Sequence, residues 1–468
     1  AEGATGERRA SERDCVRARY FPLLASAMAV QASQAPSDFA NKLSLRIFNR
    51  PLAAQTSLLP LDGRRASDFS VHITDSCTGP WNGRVLHVLT NSLPHSRGGY
   101  ALRTHAILEA ERDLGIEASA ITRLGYPAVV GKLPFQAHEV VDGLSYWRAL
   151  PPTLSPRFTR RMRTQARYIA ATARRTGASV LHVTTPWTNA VAASWAAAEL
   201  AIPWIYEVRG EPESTWAAAQ RADADAYDSE FYRASRAKES EAMRAAAAVV
   251  VLSEHARQDV AGRAVSTPIS VIPNCIPEST LHEAIPAATA RAKLGLDGPR
   301  YVGAVSSLVS YEGFDDLIRA MPYLPADVKL LLVGQGASTA QLVALAREEG
   351  LEGRVHFAGW KSPEEAGLWY SALDVFVVPR KDTRVTRVVT PMKALRAQAQ
   401  GIPVVASDLP ALREVTGGEA TYVPAGNPQA LADGIHRALS LPRTPSAHAQ
   451  HRTWASAAAA YEDLYSQL

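Results

Sequence analysis

From Arg84 onward the chain alternates short apolar, β-branched runs with longer amphipathic stretches. The run RVLHVLTN (Arg84–Asn91) passes through SRGGY into a stretch whose apolar residues recur at helical spacing, at Ala101, His105/Ala106, Leu108 and Leu114. A strand, a glycine turn and a helix form the opening of a βαβ unit. EASAIT, SVLHVTT, IPWIYEVRG, AVVVLS and PISVIPN continue the strands, with PWTNAVAASWAAAEL and a long polar stretch, Asp223–Ala247, as helices. The alternation then restarts. RYVGAVSSL, VKLLLVGQG, RVHFAGW, DVFVVP, IPVVASD and EATYVP read as strands, separated by GFDDLIRAMPYL, TAQLVALAREEG, SPEEAGLWYSA, TPMKALRAQAQG and PQALADGIHRALS as helices. Apolar runs without a polar alternate face are strands buried on both sides, so the pattern predicts an α/β protein with two successive doubly wound parallel sheets.

The pattern sets the expected boundaries. Residues 1–80 are Arg- and Ala-rich, punctuated by Pro36, Pro51 and Pro60, with one amphipathic stretch (DFANKLSLRIF); they read as an N-terminal helical extension. Residues 81–275 form a first Rossmann-like domain and 276–440 a second, with a changeover near Pro273–Ala288, and 441–468 supply a closing helix. Such a pair implies a cleft, with ligands at the carboxyl ends of the strands. The turns Gly98-Gly99 and Gly334–Gly336 and the segment after DVFVVP are expected to face it.

Composition narrows the function classes. At 468 residues the chain exceeds one core, and its 47% apolar and 21% charged residues are those of a folded, soluble protein. A net charge of +4 is too small to argue for nucleic acid, and Trp360, Trp369 and Tyr370, the aromatics nearest the basic segment, fall at core spacing. Cys15, Cys77 and Cys275 offer neither a disulfide framework nor metal-ligand spacing, which points to a reducing compartment. No apolar run approaches the roughly 18 residues of a membrane span. The expectation is a cytoplasmic protein.

Charge is concentrated in one place. Between Arg380 and Arg396 lie Arg380, Lys381, Arg384, Arg387, Lys393 and Arg396 against a single acid, Asp382. The following helix is expected to open at Thr390-Pro391, proline being favoured at the first helical position. An anion held there would meet helix N–H groups and guanidinium together, whereas the alternative is a solvated basic surface. The glycine turns also lead into helices and present N–H groups that favour phosphate, although glycines at strand ends commonly just make the turn. Neither matches a dinucleotide or Walker fingerprint.

Several motifs together resemble a known family. The GGY turn, IPN at the domain junction, the VGxG turn and TPMKAL-x-A-x-A-x-G-x-PVVASD are similar to glycosyltransferase family 4, of the GT-B fold, from Arg84 to the C-terminus. YEVRG (Tyr206–Gly210) and R-x-T-x-x-VTPxK (Arg384–Lys393) look like a bacterial subgroup of it. The resemblance implies transfer of a sugar from a nucleoside-diphosphate donor, such as a GDP- or UDP-sugar, with retention of configuration and without metal or further cofactor. It places the donor on the second domain and the acceptor mainly on the first. The donor would meet Gly98, Gly99, Tyr100, Gly334, Gly336, Thr390, Pro391 and Met392, with Gly359 and Trp360 near the base and Arg380, Arg387 and Arg396 around them. Arg384, Lys393, Arg209 and His182 would carry the chemistry, and Thr184 and Glu211 would lie on the acceptor side. For Arg209 a buried pair with Glu207 or Glu211 is the alternative, and for His182 a core histidine.

The departures are as specific as the matches. Arg387 and Arg396 stand where the family typically has glutamates that meet sugar and ribose hydroxyls, and guanidinium cannot accept those hydrogen bonds. Ser307 and Glu312 replace a basic pair, and Cys275 replaces a glycine. Three readings stay open: a substrate with an extra anionic group, an ordinary donor whose hydroxyls are read by other residues, or a non-catalytic partner subunit. The expected role is specialised small-molecule biosynthesis, with cell-surface polysaccharide assembly as the alternative. The extension offers a means of homodimerisation.

Overall fold

The computed structural model describes residue 71 and residues 79–134, 136–219, 226–282, 284–383, 386–387 and 390–468. Nearly all of the N-terminal extension, with its suggested dimer contact, therefore lies outside the described residues, as do Cys15, Cys77 and Arg384. The chain divides into two compact units. One runs to Leu252 and adds Arg257–Ile272 and Ala458–Leu468; the other comprises Ser253–Ala256 and Pro273–Ala457. The 441–468 segment is thus split, with only its last part in the first unit.

The first unit is an eight-stranded sheet. Its strands are β1 (Arg84–Leu89), β2 (Glu117–Thr122), β3 (His138–Val141), β4 (Leu144–Arg148), β5 (Val180–Thr184), β6 (Trp204–Val208), β7 (Ala248–Val251) and β8 (Ile269–Val271). The order is β3-β4-β2-β1-β5-β6-β7-β8, parallel except where β3 runs against β4. The expected strands are present. The β3–β4 hairpin is an addition, turned at Asp142-Gly143 with φ of 51° and 81°. Positive φ at both central residues is what a two-residue hairpin turn needs, and Asp-Gly is its usual signature. The helix Phe158–Thr176, closed by left-handed Gly177, is a second addition. Of the polar stretch expected as one helix over Asp223–Ala247, the described residues form a 3-10 turn at Ala226–Asp228 and an α-helix over Glu230–Ala245, which the Ser229 side chain starts by accepting from the Tyr232 N–H.

Charge pairing organises this unit's interior. Glu207 on β6 is fully buried and accepts from Arg103 Nε (2.9 Å), Arg209 Nε (2.7 Å), the Tyr461 hydroxyl (2.9 Å) and the His182 ring (3.0 Å). Burial alone would raise its pKa, but the charges of Arg209 and Arg103 hold it well below the usual carboxylate range. Glu111 bonds His87 Nε2 (2.8 Å) and the Tyr465 hydroxyl (2.9 Å). Tyr461 and Tyr465 belong to the closing helix, Trp454–Ser466, so this network ties the end of the chain into the first unit.

The second unit is a six-stranded parallel sheet, ordered β11-β10-β9-β12-β13-β14. The strands are β9 (Arg300–Val305), β10 (Val328–Val333), β11 (Val355–Gly359), β12 (Val375–Val378), β13 (Val404–Ser407) and β14 (Thr421–Val423). The apolar runs of the four inner strands, β10, β9, β12 and β13, are largely buried, as strands covered on both faces must be, while the edge strands β11 and β14 are mostly half-buried. Gly313 has φ +75°, and a Cβ there would stand 1.8 Å from the Pro379 carbonyl oxygen. The loops after β9 and β12 are therefore in backbone contact.

Two expectations about stability follow from these contacts. Gly313→Ala should destabilise by roughly 2 kcal/mol or more, adding left-handed strain to a backbone clash. Gly353→Ala, with open space around its Cβ position, is the control; equal urea midpoints for the two variants would refute the close approach. Glu207→Gln leaves two buried guanidinium groups without their carboxylate and should cost about 3–5 kcal/mol. A loss under about 1 kcal/mol in urea denaturation would mean that Glu207 does not hold this network together.

Candidate functional site

In the second sheet β9 lies between β10 and β12, so successive crossovers leave it in opposite directions. Ligands of open α/β sheets bind at such a switch point, outside the carboxyl ends of the strands. Ser306 directly follows β9, Arg380 follows β12, and Lys393 lies in the first turn of the helix Met392–Ala399. One carboxylate joins them. Glu312 is buried and accepts from Arg380 Nη2 (3.0 Å), Arg380 Nε (3.3 Å) and Lys393 Nζ (3.0 Å), while Lys393 also donates to the Ser306 hydroxyl. Burial works to raise the Glu312 pKa, but the hydrogen bond from Arg380 and the charges of Lys393 and Arg380 keep it low. Burial pulls the Lys393 ammonium below its usual range against the opposing charge of Glu312. Arg380 is buried, while Lys393 remains partly exposed.

The other described cations of the segment also have partners. Lys381 binds Asp315 (2.7 Å), and the exposed Arg387 makes a two-pronged pair with Asp382 (2.5 and 2.6 Å). The Arg396 guanidinium lies 5.3 Å from the Tyr370 ring centroid, within range for cation–π attraction. The single acid seen within the segment is therefore joined by Glu312 and Asp315, some 70 residues upstream. The helix also starts one residue later than expected: Pro391 is its cap, with φ −87° and ψ 125°, and no side chain caps the first turn. Thr390 is half-buried, Pro391 buried and Met392 half-buried.

The glycine turns differ from one another. The Gly334 N–H donates to the Gly359 carbonyl (2.8 Å), and the Gly336 N–H to the Thr339 hydroxyl (3.0 Å). A Cβ at Gly334 would stand 1.9 Å from the Ser306 carbonyl oxygen, and one at Gly336 2.3 Å from that of Leu308. This corrects their reading as phosphate donors. The glycines let two loops touch, and their amides are engaged. Gly359 has φ +71°, and the following Trp360 is exposed. In the first unit, Gly98, Gly99 and Tyr100 are exposed at the start of the helix Gly99–Asp113, which has no side-chain cap.

The other first-unit residues expected at the site have structural partners. Arg209 is buried on Glu207 and also donates to the Tyr100 carbonyl (3.1 Å) and the Thr104 hydroxyl. His182 is fully buried, with Nδ1 on the Tyr465 hydroxyl (2.7 Å) and Nε2 on Glu207. Burial, then the neighbouring His87, lowers its pKa to about 4. With both nitrogens engaged and no exposed surface, His182 is a core histidine, which corrects its expected catalytic contact. Thr184 is likewise buried, its hydroxyl on the Val88 carbonyl (3.1 Å), and Glu211 pairs with Arg263 (2.9 Å). His87, Glu111 and His182 bring ligand atoms within 4.8 Å of one another. The bonds among them and to Tyr465 and Glu207 make the cluster a hydrogen-bond network, with His87 Nδ1 left without a partner among the described residues.

Comparison with known proteins agrees with this architecture. Residues 98–275 match the family model described as glycosyl transferase 4-like domain, and residues 299–440 match glycosyl transferases group 1. A D-inositol 3-phosphate glycosyltransferase of Xylanimonas cellulosilytica is 33% identical over 221 residues, 42% of this chain and 51% of the relative. The lipopolysaccharide core biosynthesis glycosyltransferase LpsE of Rhizobium meliloti is 37% identical over 123 residues, 26% of this chain and 33% of the relative. The chain thus spans about half or less of the length of these curated relatives. Among solved structures, a sucrose-phosphate synthase from Thermosynechococcus elongatus aligns with TM-score 0.60 at 24% identity, over 82% of this chain and 98% of that one. Anabaena HepE in complex with UDP aligns with TM-score 0.61 at 17% identity, over 82% and 100%. No helix among the described residues is long and apolar enough to cross a membrane. On the two matched domains, which together cover more than half of the sequence, the chain belongs to the family 4-like glycosyltransferases of the GT-B fold.

Proposed function

We propose that the protein transfers a sugar from a nucleoside-diphosphate donor, with the diphosphate held on the second unit by Lys393 and the N-terminus of the helix Met392–Ala399. The observation that carries this reading is the Ser306–Glu312–Arg380–Lys393 cluster at the switch point of the second sheet. As the glycosidic bond breaks, charge develops on the leaving diphosphate, and a fixed ammonium with helix N–H groups lowers that barrier without a metal. Arg380 stands behind, holding Glu312 and through it Lys393. HepE was solved with UDP and with UDP-glucose, which favours UDP among the donors to test. Retention of anomeric configuration is part of the proposal.

For Arg387 and Arg396 the favoured reading is an ordinary donor sugar whose hydroxyls other groups meet. Asp382 already neutralises Arg387 and places a carboxylate beside the position of a family glutamate, while Arg396 packs over Tyr370. A small-molecule acceptor in specialised biosynthesis remains the proposed setting, with cell-surface polysaccharide assembly as its rival; LpsE is named for the latter type of process. The two arginines also favour a second reading, a partner subunit that has given up catalysis.

Calorimetric titration of the full chain with UDP, GDP, ADP and TDP tests the donor site. Lys393→Ala should lose roughly 10- to 150-fold in affinity for the preferred nucleotide, the scale of a hydrogen bond to a charged group. Unchanged affinity would remove Lys393 from the diphosphate site. Arg387→Glu and Arg396→Glu should keep nucleotide affinity within about threefold, under about 1 kcal/mol; loss of binding in either would assign these arginines to an anionic donor group. No binding of any nucleotide by the wild-type protein would favour the partner subunit.

A further inference from the structure

The first unit holds a buried polar cluster that its own hydrogen bonds leave out of balance. β1 and β5 pair in parallel register with His87 opposite His182, so both imidazoles leave the same face of the sheet, their ring centroids 4.3 Å apart. The helix Gly99–Asp113 brings Glu111 against them, with His87 Nε2 2.8 Å from Glu111 Oε2. The closing helix brings Tyr465, whose Oη lies 2.9 Å from Glu111 Oε1 and 2.7 Å from His182 Nδ1. All four side chains belong to fully buried residues.

Counting protons shows the shortfall. Arg209 and Arg103 keep Glu207 ionised, and Glu207 lies 3.0 Å from His182 Nε2. The proton of a neutral His182 ring therefore sits on Nε2, and the Nδ1 lone pair faces Tyr465. Burial, then the neighbouring His87, opposes a second proton on that ring. Tyr465 has one hydroxyl proton, yet its oxygen stands against two acceptors, His182 Nδ1 and Glu111 Oε1. Burial, then the Glu111 charge, holds that proton on the tyrosine. Glu111 bonds only His87 and Tyr465 among the described residues, with no guanidinium or ammonium beside it. An imidazolium at His87 would answer the carboxylate on one side but leave the gap between Glu111 Oε1, Tyr465 and His182 Nδ1. The cluster lacks a cation there, and a buried carboxylate without one is costly.

We propose that His87, Glu111, His182 and Tyr465 form a structural site for one divalent transition-metal ion, zinc by the chemistry of the donor set. Two imidazole nitrogens and a carboxylate oxygen are zinc donors, the Tyr465 oxygen supplies the fourth, and a site closed by four protein donors is structural. Glu207 behind His182 is the carboxylate that orients a ligating imidazole. Coordination through Nε2 places the His87 ring proton on Nδ1, which has no partner among the described residues. An unmet N–H costs less than an unmet buried carboxylate, so the exchange favours the ion. A tetrahedron with zinc bonds of the usual length has edges of about 3.3 Å. The contacts of 2.7, 2.8 and 2.9 Å therefore open slightly as coordination replaces hydrogen bonds. The ion fastens the closing helix to β1, β5 and the helix Gly99–Asp113, and takes no part in the proposed sugar transfer.

The test is metal analysis of the full chain, purified without chelator, by plasma mass spectrometry, followed by titration of the stripped protein with zinc and with cobalt. Wild type should bind a single zinc ion per chain, and zinc at about a hundredfold over its Kd should raise the thermal midpoint of the stripped protein by at least about 5 °C. Cobalt in its place should give the visible absorption of a four-coordinate site, which a hydrogen-bonded cluster alone does not produce. His87→Gln should lose the ion. Tyr465→Phe deletes only a hydroxyl and should weaken zinc binding by roughly 10- to 100-fold, which keeps the test open if His87→Gln fails to fold. A wild-type protein isolated without metal, whose midpoint neither zinc nor cobalt moves, would overturn the proposal and leave His87 as the only counter-charge of Glu111. Zinc bound as tightly by Tyr465→Phe as by wild type would also overturn it, because the ion would then lie elsewhere.

Discussion

A guanidinium removed from water needs a carboxylate close by, and that constraint orders both units. In the low-dielectric interior an unpaired ion costs several kcal/mol, so each buried arginine fixes the position of an acid and of the element that carries it. Glu207 joins β6 to the helix Gly99–Asp113 through Arg103 and to the closing helix through Tyr461. Glu312 joins the loop after β9 to the end of β12 through Arg380. Glu139 on β3 holds Arg148 on β4, which anchors the added hairpin at the sheet edge. The arrangement is reciprocal, since truncating any of these acids strands a cation rather than simply deleting a contact.

The strands were legible in the sequence because parallel strands covered on both faces are written as unbroken apolar runs, and the described strands other than β3 and β4 fall on them. The hairpin β3–β4 was less visible, since its strands mix polar and apolar residues, yet its Asp142-Gly143 turn was a usable signal. The helix Phe158–Thr176 is rich in arginine, and its apolar face emerges only at i, i+4 spacing, as in Phe158, Met162 and Ala166. The polar stretch before β7 looked like one long helix because side-chain composition does not report where a cap such as Ser229 restarts the backbone.

The candidate site was legible in residue type but not in pairing. The cations after β12 were plain, whereas their partners Glu312 and Asp315 come from a different loop and helix, and only the register of β9 against β12 brings them together. Gly334 and Gly336 looked like phosphate-binding turns because a packing glycine and a ligand glycine share one letter. What separates them is whether the amide already has an acceptor.

The closing helix has a consequence for the order in which the protein can be made. Residues 458–468 belong to the first unit, but they follow the whole of the second in the chain. Domains emerging from a ribosome fold as units, N-terminal first. Here the first unit emerges without Tyr461 and Tyr465, so Glu207 and Glu111 lack two of their donors until translation has passed the second unit. The second unit, whose main span runs unbroken from Pro273 to Ala457, faces no such wait. The part of the chain synthesised first is therefore the part finished last, and a nascent chain stalled before Tyr461 would carry buried carboxylates short of two hydrogen-bond donors.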